Sequence, residues 1–476
     1  MILRLKHTLL ALAALLATAL TGCINDDIST SADDQPTFST DTVRLGTLFT
    51  QGPSPTHRFT VYNRSDKGIN ISHISFADDP NSIFRINVDG ISGREFSNVE
   101  IRENDSIFVF VEATLPENGS NATVDVLAHI EFLTNGVTRR MPVKAYGRDV
   151  CRLKGDTRYA SDMTLSTELP YQITDSLVVE EGARLTIPAG AELFFHDDAR
   201  IVVHGSLSIE GTAEAPVSLT GDRFGYVAAK IPYEIMSGQW RGIEFTSTST
   251  DNRIAFASIR NSANGLTLDR CPYSDATPAL TIVNSQVRNT KGYVLQALHS
   301  SVVAAGCEFS DASMGIVGLV GGRHNFASCT FANYYLFTAI GGPAVWLDHL
   351  SADKTTLEGD DAALPYMQAE FTNSIIYGLG TELNHGDLKG TQVRLRRCLL
   401  KSAGSNDDEF TDCIWDADPM YFTVREDYHF DYRLRPTSPA IDAGFADLLS
   451  PLSTVDRYGT PRHSTPSLGA YEVAAE

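Results

Sequence analysis

The sequence predicts an all-β chain in two parts, a sandwich followed by a long solenoid of stacked strands. Three observations carry this. Between Phe38 and Asp149, short apolar runs alternate strictly with polar residues, as strands with one buried face do. After Cys151, short motifs return at an offset of 22 residues. Turn residues, including 36 glycines, punctuate both regions, and no helical periodicity competes. With 476 residues, 42% hydrophobic and 20% charged, a single small module and global disorder are both excluded. The formal charge of −21 argues against phosphate backbones, hence against nucleic acid, as partners.

The amino terminus reads as an export signal. Arg4 and Lys6 precede an apolar run at 8–20 that is too short to span a bilayer as a helix. Leu20-Thr21-Gly22-Cys23 resembles the bacterial lipobox, which implies a signal peptide at 1–22 and lipidation (a palmitate-type anchor) of Cys23. Several acyl chains on one residue would hold the protein on a membrane, at roughly 0.8 kcal/mol per buried methylene. Ile24-Asn25-Asp26-Asp27 opens a polar stretch, 23–37, that reads as a flexible tether. It is similar to the acidic export signal of Bacteroides-type lipoproteins, which implies the outer face of the outer membrane. Asp41-Thr42-Val43, Asp105-Ser106-Ile107 and Asp175-Ser176-Leu177 resemble the O-glycosylation sequon of the same exported proteins.

Within the first domain, 38–149, strands are expected at 58–62, 69–76, 83–88, 107–113, 128–133 and 141–146. Hairpin turns are expected at 63–68 and at Asn135-Gly136, a pair that tolerates positive φ at both central positions. Seven or so strands in this length make a β-sandwich. The segment resembles the immunoglobulin-like domains of bacterial surface proteins but lacks the paired Cys and Trp of antibody domains.

The second domain, 150–430, carries the repeat. Ala183-Arg184-Leu185-Thr186-Ile187 recurs as Gly205-Ser206-Leu207-Ser208-Ile209, and Gly306-Cys307-Glu308-Phe309 as Ser328-Cys329-Thr330-Phe331, each 22 residues on. Such a unit cannot bury its own apolar face and must stack on its neighbours, one rung every ~4.8 Å. About ten coils follow. Ser258, Ser285, Cys307, Cys329, Ser374 and Cys398 are expected in one inward column of small side chains. The pattern, strongest over 178–220 and at Gln239-Trp240-Arg241-Gly242-Ile243, resembles the right-handed parallel β-helix family that includes pectate lyases and non-enzymatic surface proteins. The tail, with Pro439-Ala440-Ile441-Asp442-Ala443-Gly444 and Leu468-Gly469-Ala470-Tyr471-Glu472, resembles the end module of exported β-helix proteins. It is expected to form a carboxy-terminal cap over 431–476, with Asp442, Asp456, Arg457 and Arg462 in an ion-pair and turn network.

The remaining six cysteines have no metal-ligand spacing, and mostly free thiols are expected, with Cys307–Cys329 the favoured pair if one bridges. No cofactor, metal or catalytic motif is assigned, although acidic loops such as Glu358-Gly359-Asp360-Asp361 have the chemistry to hold Ca²⁺. A lyase would need a base and a charge neutraliser, for which Arg288, Lys291, His299 and His324 occupy the middle coils. Two insertions, 222–238 and 341–368, and a shorter loop carry Tyr226, Tyr233, Tyr273, Trp346 and Tyr366, aromatics able to stack on sugar rings. The sequence therefore points to non-catalytic binding of a polysaccharide or cell-surface ligand. A polysaccharide lyase or glycoside hydrolase on uronic-acid-rich glycans, and a structural scaffold or adhesin, are the alternatives.

Overall fold

The computed structural model describes residues 27–79, 81–228, 231–348, 367–386 and 391–473. Residues 1–22, Cys23 and Tyr366 lie outside them. No helix among the described residues is long and apolar enough to cross a membrane. The chain divides after Asp149 into two compact units.

The first unit is a sandwich of two five-stranded sheets. One runs Thr37–Phe38, His57–Tyr62, Ser106–Ala113, Phe84–Val88 and Ile91–Gly93 in spatial order. The other runs Val43–Phe49, Val137–Arg148, Val124–Thr134, Ile69–Phe76 and Glu95–Ile101, with Val43–Phe49 joining in parallel at the edge. The alternation places Phe59, Val61, Ile71, Phe84, Val109 and Phe132 in one core. Asn135-Gly136 forms the expected hairpin, both residues at positive φ, between Thr134 and Val137. The turn at 63–68 is different: it crosses from one sheet to the other, and Asn63 is buried, with its amide donating to Lys67, Ile101 and Arg102 carbonyls. The expected tether is also shorter than its polar composition implies. Ser29 N donates to Gly68 O at 2.7 Å and Gln35 Nε2 to Thr134 O at 3.0 Å, so backbone and amide pairing hold 27–37 against the sandwich.

The second unit is a parallel β-helix. Its three sheets contain ten, nine and ten strands and meet at corners. The first sheet runs from Cys151–Leu153 to Leu399–Leu400, the second from Thr157–Tyr159 to Leu383–His385, and the third from Met163–Thr164 to Phe410–Thr411. Inward ladders of Leu, Ile, Val and Phe fill the interior. Phe309 stacks on Phe331 at 5.6 Å, and Phe326 on Phe371 at 5.0 Å.

A single left-handed residue turns successive coils from the third sheet to the first: Phe256, Asn284, Gly306, Ser328, Asn373, Arg397 and Asp412 all have positive φ. The next residue starts the strand facing inward, so small side chains stack there. The column is Val217, Ala257, Ser285, Cys307, Cys329, Ser374, Cys398 and Cys413. Ser258 is one position away, paired with Gln286 on the outer face, because the strand begins at Ala257. Gly242 is a tight corner. Its φ is +119°, and a Cβ there would lie 1.9 Å from Asn264 O, so no other residue fits. Trp240, two residues earlier, stacks on Phe195 at 4.1 Å and donates to Arg260 O.

The six cysteines among the described residues are all free thiols, and the 307–329 bridge does not form. In-register neighbours point the same way into the core instead of towards each other. Cys307 Sγ donates to Ile282 and Ala305 carbonyls at 3.4 Å, and Cys329 Sγ to Ala327 O at 3.4 Å.

The tail does more than close an end. It lies along the outer face of the first sheet over several coils, burying Ala332, Ile375 and Leu399 under Tyr421, Tyr432, Leu434 and Leu468. Asn373 anchors it twice, donating from Nδ2 to Phe445 O and accepting Phe445 N at Oδ1. The expected network is present in altered form. Asp456 accepts Tyr458, Thr460 and Glu472 backbone N–H groups, while the buried Arg462 donates to Gly469 and Ala470 carbonyls beside Glu472. Arg457 packs on Tyr458, and Asp442 lies by His463. The carboxy-terminal coil is covered separately by Phe410 and Trp415, which pack on the core.

Two measurements check this arrangement. Alkylation of the native protein followed by mass analysis is expected to label Cys151 alone among the thiols from Cys151 onward, and all six after denaturation without reductant. Asn373→Ala is expected to be less stable than Asn373→Gly by about 1–2 kcal/mol in denaturant titration, since only Ala carries the left-handed penalty.

Candidate functional site

The three outer faces of the solenoid differ in what covers them. The first sheet lies under the tail and, at its amino-terminal coils, under the 222–238 insertion: Phe224 packs on Phe194 at 5.5 Å, and Asp222 accepts Gln172 Nε2 and His196 Nδ1. The third carries charged and polar residues, with Glu370 and Arg396 3.5 Å apart. The second sheet presents a polar and aromatic strip.

Strand alternation aims every second residue of this sheet outward, and in-register pairing stacks them. The file reads Glu244, Thr267, Gln296, Gly318, Trp346 and Asn384. A neighbouring file reads Asp269, Leu298, Val320 and Asp348. Gln296 and Asn384 are exposed, while Thr267 and Trp346 are half-buried. Glycine at 318 makes room for the Tyr293 ring, which comes within 3.2 Å of a Cβ built there and 2.6 Å of one at Gly315. Tyr293 therefore packs over two glycines of the coil next to that of Trp346, and burial pushes its phenol pKa up. Arg200 approaches Glu244 at 3.6 Å and Arg270 approaches Asp269 at 3.2 Å, so two of the carboxylates already have cations. Chemically the strip offers aromatic faces, amides and a hydroxyl in a line, one rung per coil.

The expected aromatics among the described residues are not brought together. Trp346 stands on the strip. Tyr226 is 68% exposed on the ribbon Tyr226–Ala228 with Ile231–Pro232, and Tyr233 lies beside Arg223, both on the insertion that leans over the first sheet. Tyr273 turns down against the core at the corner between the second and third sheets, its hydroxyl buried and its pKa raised by burial. Tyr293 was not anticipated. The signal was available in Gly315 and Gly318, two glycines inside one strand, which mark a close approach.

The basic candidates are also dispersed. Arg288 lies at the first sheet, donating to Phe430 O at 3.2 Å, and Lys291 packs beside Gly238. His299 sits buried at a left-handed corner. His324 is buried, with Nε2 2.8 Å from Gly321 O, and burial pushes its pKa down to about 4. Among groups able to hold a metal, Asp442, His463 and Glu472 approach one another in the tail, but Glu472 already accepts Ser467 N and Oγ.

No family model matches this chain, and no curated protein matches it. Among solved structures, the catalytic domain of a GH87 α-1,3-glucanase in complex with nigerose aligns over 76% of this chain and 88% of its own, at 10% identity and TM-score 0.19. A family 123 glycoside hydrolase from Clostridium perfringens aligns over 26% of each chain, at 10% identity and TM-score 0.19. A protein of unknown function from Porphyromonas gingivalis W83 aligns over 28% of this chain and 60% of its own, at 12% identity and TM-score 0.18. The first and third of these differ in extent, and the alignment to the Clostridium enzyme spans about a quarter of that enzyme.

Buried titratable groups give opposite pH signatures. Burial, opposed by the Tyr432 hydroxyl and Arg288, pushes the Asp311 carboxyl up to about 6. As pH falls through 6 the folded state takes up this proton before the unfolded chain does, so Asp311 adds stability. For His324 the unfolded chain protonates first, near 6.5, so stability is lost as pH falls towards 4. Equilibrium unfolding between pH 7 and 4.5 is expected to show Asp311→Asn losing stability more steeply than the parent protein, and His324→Gln less steeply.

Proposed function

We propose that the protein is an exported, lipid-anchored surface protein that binds a polysaccharide, without turnover, along the outer face of the second sheet. The observation that carries the binding reading is the half-buried Trp346, in register with Gln296 and Asn384 on the sheet where the Tyr293 ring packs on Gly315 and Gly318. An extended ligand meets one rung after another of a repeating surface, and aromatic faces with amides between them suit a chain of sugar rings. The anchoring reading rests on the charged, apolar and Leu-Thr-Gly-Cys succession at the amino terminus. The negative charge favours neutral glycans, or acidic ones bridged by Ca²⁺.

Affinity gels loaded with neutral and acidic polysaccharides, with and without Ca²⁺, are expected to retain the purified protein on at least one glycan, with no new reducing ends or unsaturated uronates. Trp346→Ala is expected to weaken that retention about tenfold, equivalent to about 1.4 kcal/mol, without changing the unfolding midpoint. Product formation would move the reading to a hydrolase or lyase, and undiminished retention would remove the strip from it.

A further inference from the structure

The second sheet stops one coil short of the other two, with nine described strands against ten. In the last coil the chain leaves Leu399–Leu400 and reaches Phe410–Thr411 through residues 401–409, adding no strand beyond Leu383–His385. The inward ladder registers the gap: Val317 and Val345 are fully buried, whereas Leu383, the next rung, is half-buried. A cavity of about 340 Å³ stands there, within the range of small-ligand sites. Leu383, Leu400, Phe410 and Trp415 give it apolar walls. Phe410 and Trp415 lie 5.1 Å apart, and the Gly404 backbone backs the indole, since a Cβ there would come within 2.4 Å of the ring.

The polar rim is balanced in charge. Glu382 is buried, and its carboxylate accepts the Lys401 and Ser402 backbone N–H groups at 2.6 and 2.9 Å. Lys401 Nζ donates to the Gly378 and Gly380 carbonyls at 3.1 and 3.3 Å, which leaves one ammonium proton. The side-chain hydroxyls of Thr381 and Ser402 have no partner among the described residues.

These groups select a ligand by exclusion. A purely apolar molecule would strip water from the ammonium and the two hydroxyls without replacing it. A net anion meets Glu382 and a net cation meets Lys401, so charge adds nothing for either. A neutral molecule with C–H faces for the walls and hydroxyls at its edges for the rim answers both.

We propose that this cavity takes a single neutral hexose ring, its C–H faces against Leu400, Phe410 and Trp415 and its hydroxyls paired with Lys401 Nζ, Thr381 and Ser402. The inference does not rest on glycan binding by the second sheet: free hexose reads the cavity, a polysaccharide gel reads the strip, and the two fail separately.

Saturation-transfer NMR on the purified protein tests it with glucose, galactose, mannose, glucuronate and glucosamine. Saturable transfer to at least one of the three neutral hexoses, with much weaker transfer to glucuronate and glucosamine, is expected. Thr381→Trp places a large ring at the exposed mouth, and Trp415→Ala removes a wall. Each is expected to weaken hexose binding about tenfold or more. Thr381→Trp, at an exposed position, is expected to keep the parent's unfolding midpoint and decides alone should Trp415→Ala misfold. No saturable transfer to any neutral hexose, transfer to glucuronate or glucosamine equal to that of the best hexose, or hexose binding untouched by Thr381→Trp would each overturn the proposal.

Discussion

Everything in the second unit depends on the register of parallel coils. Each strand of a coil pairs residue for residue with its equivalent in the next coil, 22 positions on where no insertion or shortening intervenes, and a slip of one would turn an apolar ladder out to solvent. From Phe256 on, the register is set at the corner between the third and first sheets, where one left-handed residue per coil reverses the chain and a small side chain follows it. Asn284 and Asn373 hold that corner with a residue type that tolerates positive φ, whereas Phe256 and Arg397 do so at a steric cost the stack must offset. The same corner joins solenoid to tail, since Asn373 clasps Phe445 and Asn284 accepts the Ser453 hydroxyl.

This also explains how much of the molecule was legible beforehand. The 22-residue offset reports stacking directly, because identical positions recur wherever a coil has no insertion. That is why the architecture, the coil count and the column containing Ser285, Cys307, Cys329 and Ser374 could be read. Ser258 was misplaced by one because the 27-residue spacing to Ser285 includes a longer corner, and similarity of residue type hides a single-residue shift. The tail's path over the first sheet was not legible: its contacts, such as Tyr471 to Glu308 and Tyr432 to Asp311, span more than a hundred residues and follow no period. In the first unit, alternation located the strands, but the polar composition of 27–37 concealed its backbone pairing with Gly68.

Function divides along the same lines. Aromatic residues in insertions looked equivalent in sequence, yet where each insertion leaves the coil decides where its side chains go. The 222–238 insertion covers the first sheet, whereas Trp346 belongs to a strand and its direction is fixed by alternation. Tyr293, on the same sheet, is betrayed only by the glycines beneath its ring. The basic candidates lie apart, Arg288 against the tail, Lys291 beside Gly238 and His299 and His324 in buried positions.

The central claim is that the outer face of the second sheet, held in register by the left-handed corner, is the recognition surface. Hydrogen exchange of the protein alone and saturated with whichever polysaccharide the affinity gels retain tests it most directly. The account predicts added protection in peptides covering 293–298, 315–320 and 345–348, with the tail-covered strands 330–333 and 375–378 unchanged. Protection confined to the sandwich, the tail or the third sheet would contradict it.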